Sequence, residues 1–164
     1  MADRASVSIR IGGRIARADL LLLAELAEAE SAYTDYDDTP FDPGRVEPGV
    51  LTLVAHEVAW GRLDVIEDFC IERGLPFARW SGSSPGAFAA ERVVFTGAGE
   101  PCCYAATDDD ELVASLASLR ELGSMAAIEA HFAAGDRETP PLEIVDERPA
   151  PPRATPRERF GDRA

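Results

Sequence analysis

The chain has 164 residues, 46% of them apolar, and sets thirty Asp and Glu against sixteen Arg and Lys for a net charge of −14. That length suits one self-sufficient domain burying roughly 68–70% of its unfolded surface, and no apolar run approaches the ~20 residues of a membrane span. The sign of the charge repels nucleic acid and anionic membranes and steers the chain toward basic surfaces, with simple solubility as the competing reason for it.

Ser6 to Ile11 (SVSIRI) alternates apolar and polar, the pattern of a half-buried strand, and Gly12-Gly13 turns it. Arg17 to Ala32 predicts a helix, with Asp19 in the first turn and Leu20, Leu23, Ala24 and Ala27 on one face. Tyr33 to Gly49 is a loop rich in Asp, Pro and Gly. Val50 to Val58 predicts the second strand, and Leu63 to Arg73 the second helix, stopped by Gly74, Leu75 and Pro76. Phe77 to Trp80 is a short strand. Arg92 to Thr96 and Cys102 to Ala106 form a hairpin around GAGEP.

Asp108-Asp109-Asp110-Glu111 predicts the start of a third helix, with Leu112, Leu116 and Leu119 inward. Gly123-Ser124 breaks it and caps a fourth that ends at Gly135, and Leu142 to Val145 is a last edge strand. The order predicts an α+β domain over residues 1–146, a mixed sheet of about five to six strands with three to four helices. The Pro- and Arg-rich residues 147–164 predict a disordered tail.

Three cysteines, Cys70 and the adjacent Cys102 and Cys103, lack disulfide or metal-ligand spacing. With no apolar signal segment in MADRASVSIR, they point to free thiols and a cytoplasmic address. No cofactor or metal is expected. HEVAW, from His56 to Trp60, misses the zinc motif H-E-x-x-H by one residue. His56 falls in a strand, and Trp60, which cannot ligate zinc, is expected to pack at the strand-to-helix corner. Gly82 to Gly86 matches G-x-S-x-G, yet Pro85 follows Ser84 and offers no N–H to an oxyanion, so the stretch is taken as a loop. Gly97-Ala98-Gly99 lacks the third glycine and the helix that a dinucleotide loop needs.

The acidic loop is the strongest local feature. From Asp19 to Glu47 nine carboxylates accompany one arginine, and at the centre Tyr36 and Phe41 interleave with Asp35, Asp37, Asp38 and Asp42. Exposed aromatics among carboxylates suit an Arg- or Lys-rich partner, through ion pairing and cation–π stacking, and these six residues are the expected contacts. A solvated turn is the alternative. As a calcium loop the stretch fails, because Pro40 stands where the sixth position needs glycine.

LTLVAHEVAWGRLDVIEDFCIERGLPFARWSG and ERVVFTGAGEP resemble small acidic proteins carried on bacterial plasmids and integrative elements. The resemblance covers about half of the chain and implies accessory cargo, among which are inhibitors of CRISPR and restriction systems. The expectation is therefore a non-enzymatic acidic protein that occupies a basic, nucleic-acid-binding surface. Its competitors are an enzyme using His56 and Glu57 with Ser84 or Cys103, and a structural or assembly subunit. The sequence leaves the oligomeric state open.

Overall fold

The computed structural model describes residues 3–149. Its main sheet has five strands in the order β3-β1-β4-β5-β6, every pair antiparallel. The strands are β1 (Arg4–Ile11), β3 (Leu51–Ala59), β4 (Phe77–Ser81), β5 (Glu91–Phe95) and β6 (Cys102–Ala105). A separate parallel pair joins β2 (Gly13–Ala16) to β7 (Leu142–Val145). The α+β class holds, with the two kinds of pairing divided between two sheets.

The division happens at Gly12-Gly13. A side chain at Gly12 would place its Cβ 1.7 Å from the Pro140 carbonyl oxygen, and Gly13 has φ +86°. Two glycines let the chain leave β1 and run at once beside β7 instead of turning back. The expected turn is thus a change of sheet, and β2 is an element that alternation alone does not reveal.

Alternation sorts the sheet into two faces. Leu53, Ile9, Arg79, Val93 and Cys103 lie abreast on one face, and Val54, Ser8, Trp80, Arg92 and Tyr104 on the other. Helices α1 (Arg17–Ala29) and α2 (Asp64–Arg73) cover the first face, where Leu20, Leu23, Ile66 and Phe69 meet Ile9, Leu53 and Phe77 in the main core. Truncating one such fully buried side chain to alanine costs about 2–5 kcal/mol. Gly74 ends α2 in the left-handed conformation while the Leu75 N–H reaches back to the Cys70 carbonyl, as the Gly-Leu-Pro sequence predicts.

The opposite face is covered in part by α4 (Met125–Gly135), preceded by the short α3 (Leu116–Leu122). The helix expected from Asp108 does not start there. Asp108 reaches back to the Ser83 N–H and hydroxyl, Asp110 adopts φ +60° and pairs with Arg92, and Thr107 Oγ1 accepts the Asp109 and Glu111 N–H groups. These local bonds hold the segment as turns, because short polar side chains compete with helical hydrogen bonding. The helix begins only after Ser115, whose side chain caps it, and Leu116 faces solvent at 62% exposure.

Two arginines are buried, one on each face. Arg79 lies between Glu67 and Glu91, 2.9 Å from each, and Arg92 between Asp110 and Asp136 at 2.8 and 2.7 Å. Burial pushes the Glu67 carboxyl up, against the pull of Arg79. Asp19 is buried as well and receives Arg73 and Arg148, and the Arg148 hydrogen bond leads in holding its carboxyl below the ordinary value. The predicted tail from residue 147 thus has its second residue, Arg148, tied to α1. Residues 150–164 lie outside the described residues.

Candidate functional site

The acidic segment is built by its own side chains. Tyr33 exchanges backbone hydrogen bonds with Val54, which fastens the loop to the free edge of β3. Asp35 Oδ1 then accepts the Asp37 and Thr39 N–H groups, at 3.0 and 3.1 Å, and Asp42 Oδ1 accepts the Gly44 N–H at 2.8 Å. Such Asx turns fix a short loop without burying it. The hydrogen bonds from Thr39 and Asp37 hold the Asp35 carboxyl below its usual range. Asp38 takes φ +61°, a conformation that Asp tolerates better than most residues.

The six expected contact residues thereby divide. Asp35, Tyr36, Asp37, Asp38 and Asp42 are exposed, and Asp42 pairs with Arg45 at 3.6 Å. Tyr36 is 61% exposed and tilts against the His56 ring, with centroids 5.4 Å apart. Phe41 does not stand among the carboxylates as an exposed ring: it is half-buried and packs on the main core, because an apolar side chain in this loop has the β-sheet core within reach. Of the nine acids from Asp19 to Glu47, two are structural. Asp19 holds two arginines, and Glu30 accepts the Val65 and Ile66 N–H groups at the start of α2. Burial raises the Glu30 carboxyl.

Sequence reasoning left out a second bank. Glu25 and Glu28 of α1 point to solvent beside the loop, and Leu21 and Leu22 are exposed on the same helix. Between α1 and the loop runs a groove of about 570 Å³, floored by Leu21, Tyr33, Pro40 and Phe41 and edged by Glu25 and Glu28. The signal was present in the spacing. With Leu20, Leu23 and Ala27 inward, positions 25 and 28 must fall on the outer face of the helix.

The residues of the enzymatic alternative are scattered. His56 and Glu57 are exposed on β3, one edge of the sheet, and Glu57 has φ +52°. His131 stacks on Tyr104 of β6 at the other edge, four strand spacings or about 19 Å away. Ser84 is buried in a tight turn, its N–H donating to the Phe88 carbonyl. The Cys103 thiol donates to Glu91, and burial ahead of that carboxylate pushes it up to about 11, which leaves it protonated and a poor nucleophile. Trp60, expected to pack at its corner, is instead 56% exposed. The left-handed backbone at Trp60 and Gly61 (φ +58° and +63°) turns the ring outward.

Among the described residues no group of three or more His, Cys, Asp or Glu side chains is placed to hold a metal ion, and no helix is long and apolar enough to cross a membrane. No protein-family model, no curated protein and no solved structure matches the chain.

Proposed function

We propose that this chain is a non-enzymatic acidic binding protein whose α1–loop surface docks a cationic, partly apolar segment of another macromolecule. The observation that carries this reading is the groove between α1 and the acidic loop. Its floor is apolar, Glu25 and Glu28 edge it, and the prebuilt turn that bears Asp37 and Asp38 stands beside it. An amphipathic basic segment would bury its apolar side chains on that floor and set its arginines against the rim. Because Asp35 and Asp42 already order the loop, less conformational entropy is lost on binding. The sharpest form of the proposal is an anti-defence inhibitor of CRISPR or restriction systems, occupying the basic cleft in which such a complex holds nucleic acid.

Calorimetric titration with an amphipathic Arg-rich peptide tests it. Replacing Glu25, Glu28, Asp37 and Asp38 by their amides should weaken binding at least tenfold, whereas the same number of amides at the exposed Glu100, Glu111, Glu121 and Glu129, away from the groove, should leave it nearly unchanged. Equal losses in the two variants would mean that only net charge matters and would overturn the site. An assembly role is the second reading. It is favoured by apolar side chains left open on α3 and α4, with Leu116 62% and Met125 68% exposed.

A further inference from the structure

A second cleft, of about 360 Å³, lies at the β3–α2 turn and is lined by Trp60, Arg62, Ser81, Phe88 and Glu91. Its position follows from the sheet register. Ser81 and Glu91 are cross-strand partners on the α2 face, and the turn from Ser84 to Phe88 brings a second ring opposite Trp60, with centroids 6.4 Å apart.

Three features of this cleft bear on what it could hold. The first is Trp60, a bulky residue held in the left-handed region and more than half exposed, so that it gives up both backbone ease and burial. Strain of this kind persists where the surroundings enforce it, and it concentrates at binding sites. Here the enforcement is visible: the Trp60 N–H donates to the Asp3 carbonyl, and Gly61 packs so close to Ser81 that a Cβ would lie 2.8 Å from the Ser81 Cβ. The second is the Phe88 ring, which packs at a 42° tilt against Trp60 and leaves the rest of the indole open to solvent.

The third is Arg62, which lines the cleft and forms no ion pair among the described residues. Glu91 lies in the same cleft, but both of its oxygens are engaged, Oε1 by Arg79 at 2.9 Å and Oε2 by the Cys103 thiol at 3.2 Å. The α2 N-terminus is taken as well, by Glu30 and by the Glu67 carboxylate on the Leu63 N–H. Arg62 is exposed and shares the cleft with Glu91 without a short-range ion pair, so it is the group there able to receive an anion, next to a surface suited to a flat ring.

We propose that the Trp60–Phe88 cleft binds a small planar ligand bearing one anionic group, of the size of a nucleoside monophosphate, its ring stacked on Trp60 and its anion held by Arg62. The volume lies at the lower end of the roughly 300–1,000 Å³ usual for small-molecule sites, which limits the ligand to one ring system and its substituent. Aromatic side chains stack on any flat π-face, so the pocket itself selects for planarity and charge more than for one particular base. This site is separate from the α1–loop groove, and neither proposal depends on the other.

The chain has two tryptophans, Trp60 and Trp80. In a Trp80→Phe variant, fluorescence reports Trp60 alone; calorimetry on the unaltered chain guards against a variant that fails to fold. Titration with adenosine 5′-monophosphate should quench Trp60 saturably, and Arg62→Ala and Trp60→Ala should each raise Kd at least tenfold with thermal unfolding still cooperative. Adenosine and inorganic phosphate should each bind at least tenfold more weakly than the monophosphate, since each meets only half of the site. A net charge of −14 disfavours diffuse attraction of an anion to the chain as a whole. Absence of saturation at millimolar ligand would overturn the proposal. So would an Arg62→Ala variant that binds like the parent, or phosphate alone binding as tightly as the monophosphate.

Discussion

At the scale of single residues, backbone geometry decides which positions are structural and which are free to serve a surface. Gly12 and Gly99 are both glycines between strands, yet they differ in kind. A Cβ at Gly12 would overlap the Pro140 carbonyl, whereas Gly99, at φ +78°, has no atom within 4 Å of the same position. Gly12→Ala must therefore displace backbone and should destabilise by about 3 kcal/mol, the upper part of the range for overpacking. Gly99→Ala meets only the left-handed penalty of about 1 kcal/mol. Urea unfolding of the two variants checks the order, and equal losses would mean that the change of sheet at Gly12 is not held as tightly as described. Trp60 belongs to the opposite category: its backbone geometry is unfavourable and more than half of its side chain stays exposed.

At the scale of elements, α1, β1, β3, α2 and the β5–β6 hairpin were legible in the sequence because each carries its own periodicity and its own stop signal. SVSIRI alternates, and Gly74-Leu75-Pro76 closes α2 in the way such a triplet usually does. What escaped is what depends on distant partners. Nothing in GRIA, the four residues of β2, announces a parallel pairing with LEIV more than a hundred positions later. The Asp108–Glu111 run has the composition of a helix start, but the Ser83 and Arg92 groups that draw its carboxylates away come from the loop after β4 and from β5. Among the candidate contacts, the exposed acids were legible from local polarity, whereas the inward turn of Phe41 required knowing where the core lay. The helices also differ in their attachment. No residue of α3 is buried and only Gly135 of α4 is, while α1 and α2 carry core side chains. Native-state hydrogen exchange should therefore show the amides of α3 and α4 opening well before those of α2. Comparable protection across all four helices would show that the hairpin is held by more than its few contacts.

At the scale of the whole molecule, charge and topology act together. Arg79 and Arg92 are drawn into the sheet and pair there with partly exposed acids, and Arg73 pairs with the buried Asp19, which leaves many of the remaining carboxylates unopposed at the surface. On α1 and the following loop these acids adjoin an apolar groove, so the same surface offers both long-range attraction and short-range burial. The central claim is that this combination is a docking site for cationic partners and not merely a solubilising coat. Its most direct test is the salt dependence of binding to an amphipathic Arg-rich peptide, measured for the parent chain and for the variant with amides at positions 25, 28, 37 and 38. The account predicts that parent affinity falls at least tenfold between 50 and 200 mM salt, that the variant shows a clearly shallower slope, and that a residual affinity from the groove floor persists in both. Parallel slopes for parent and variant, or an affinity indifferent to salt, would contradict it.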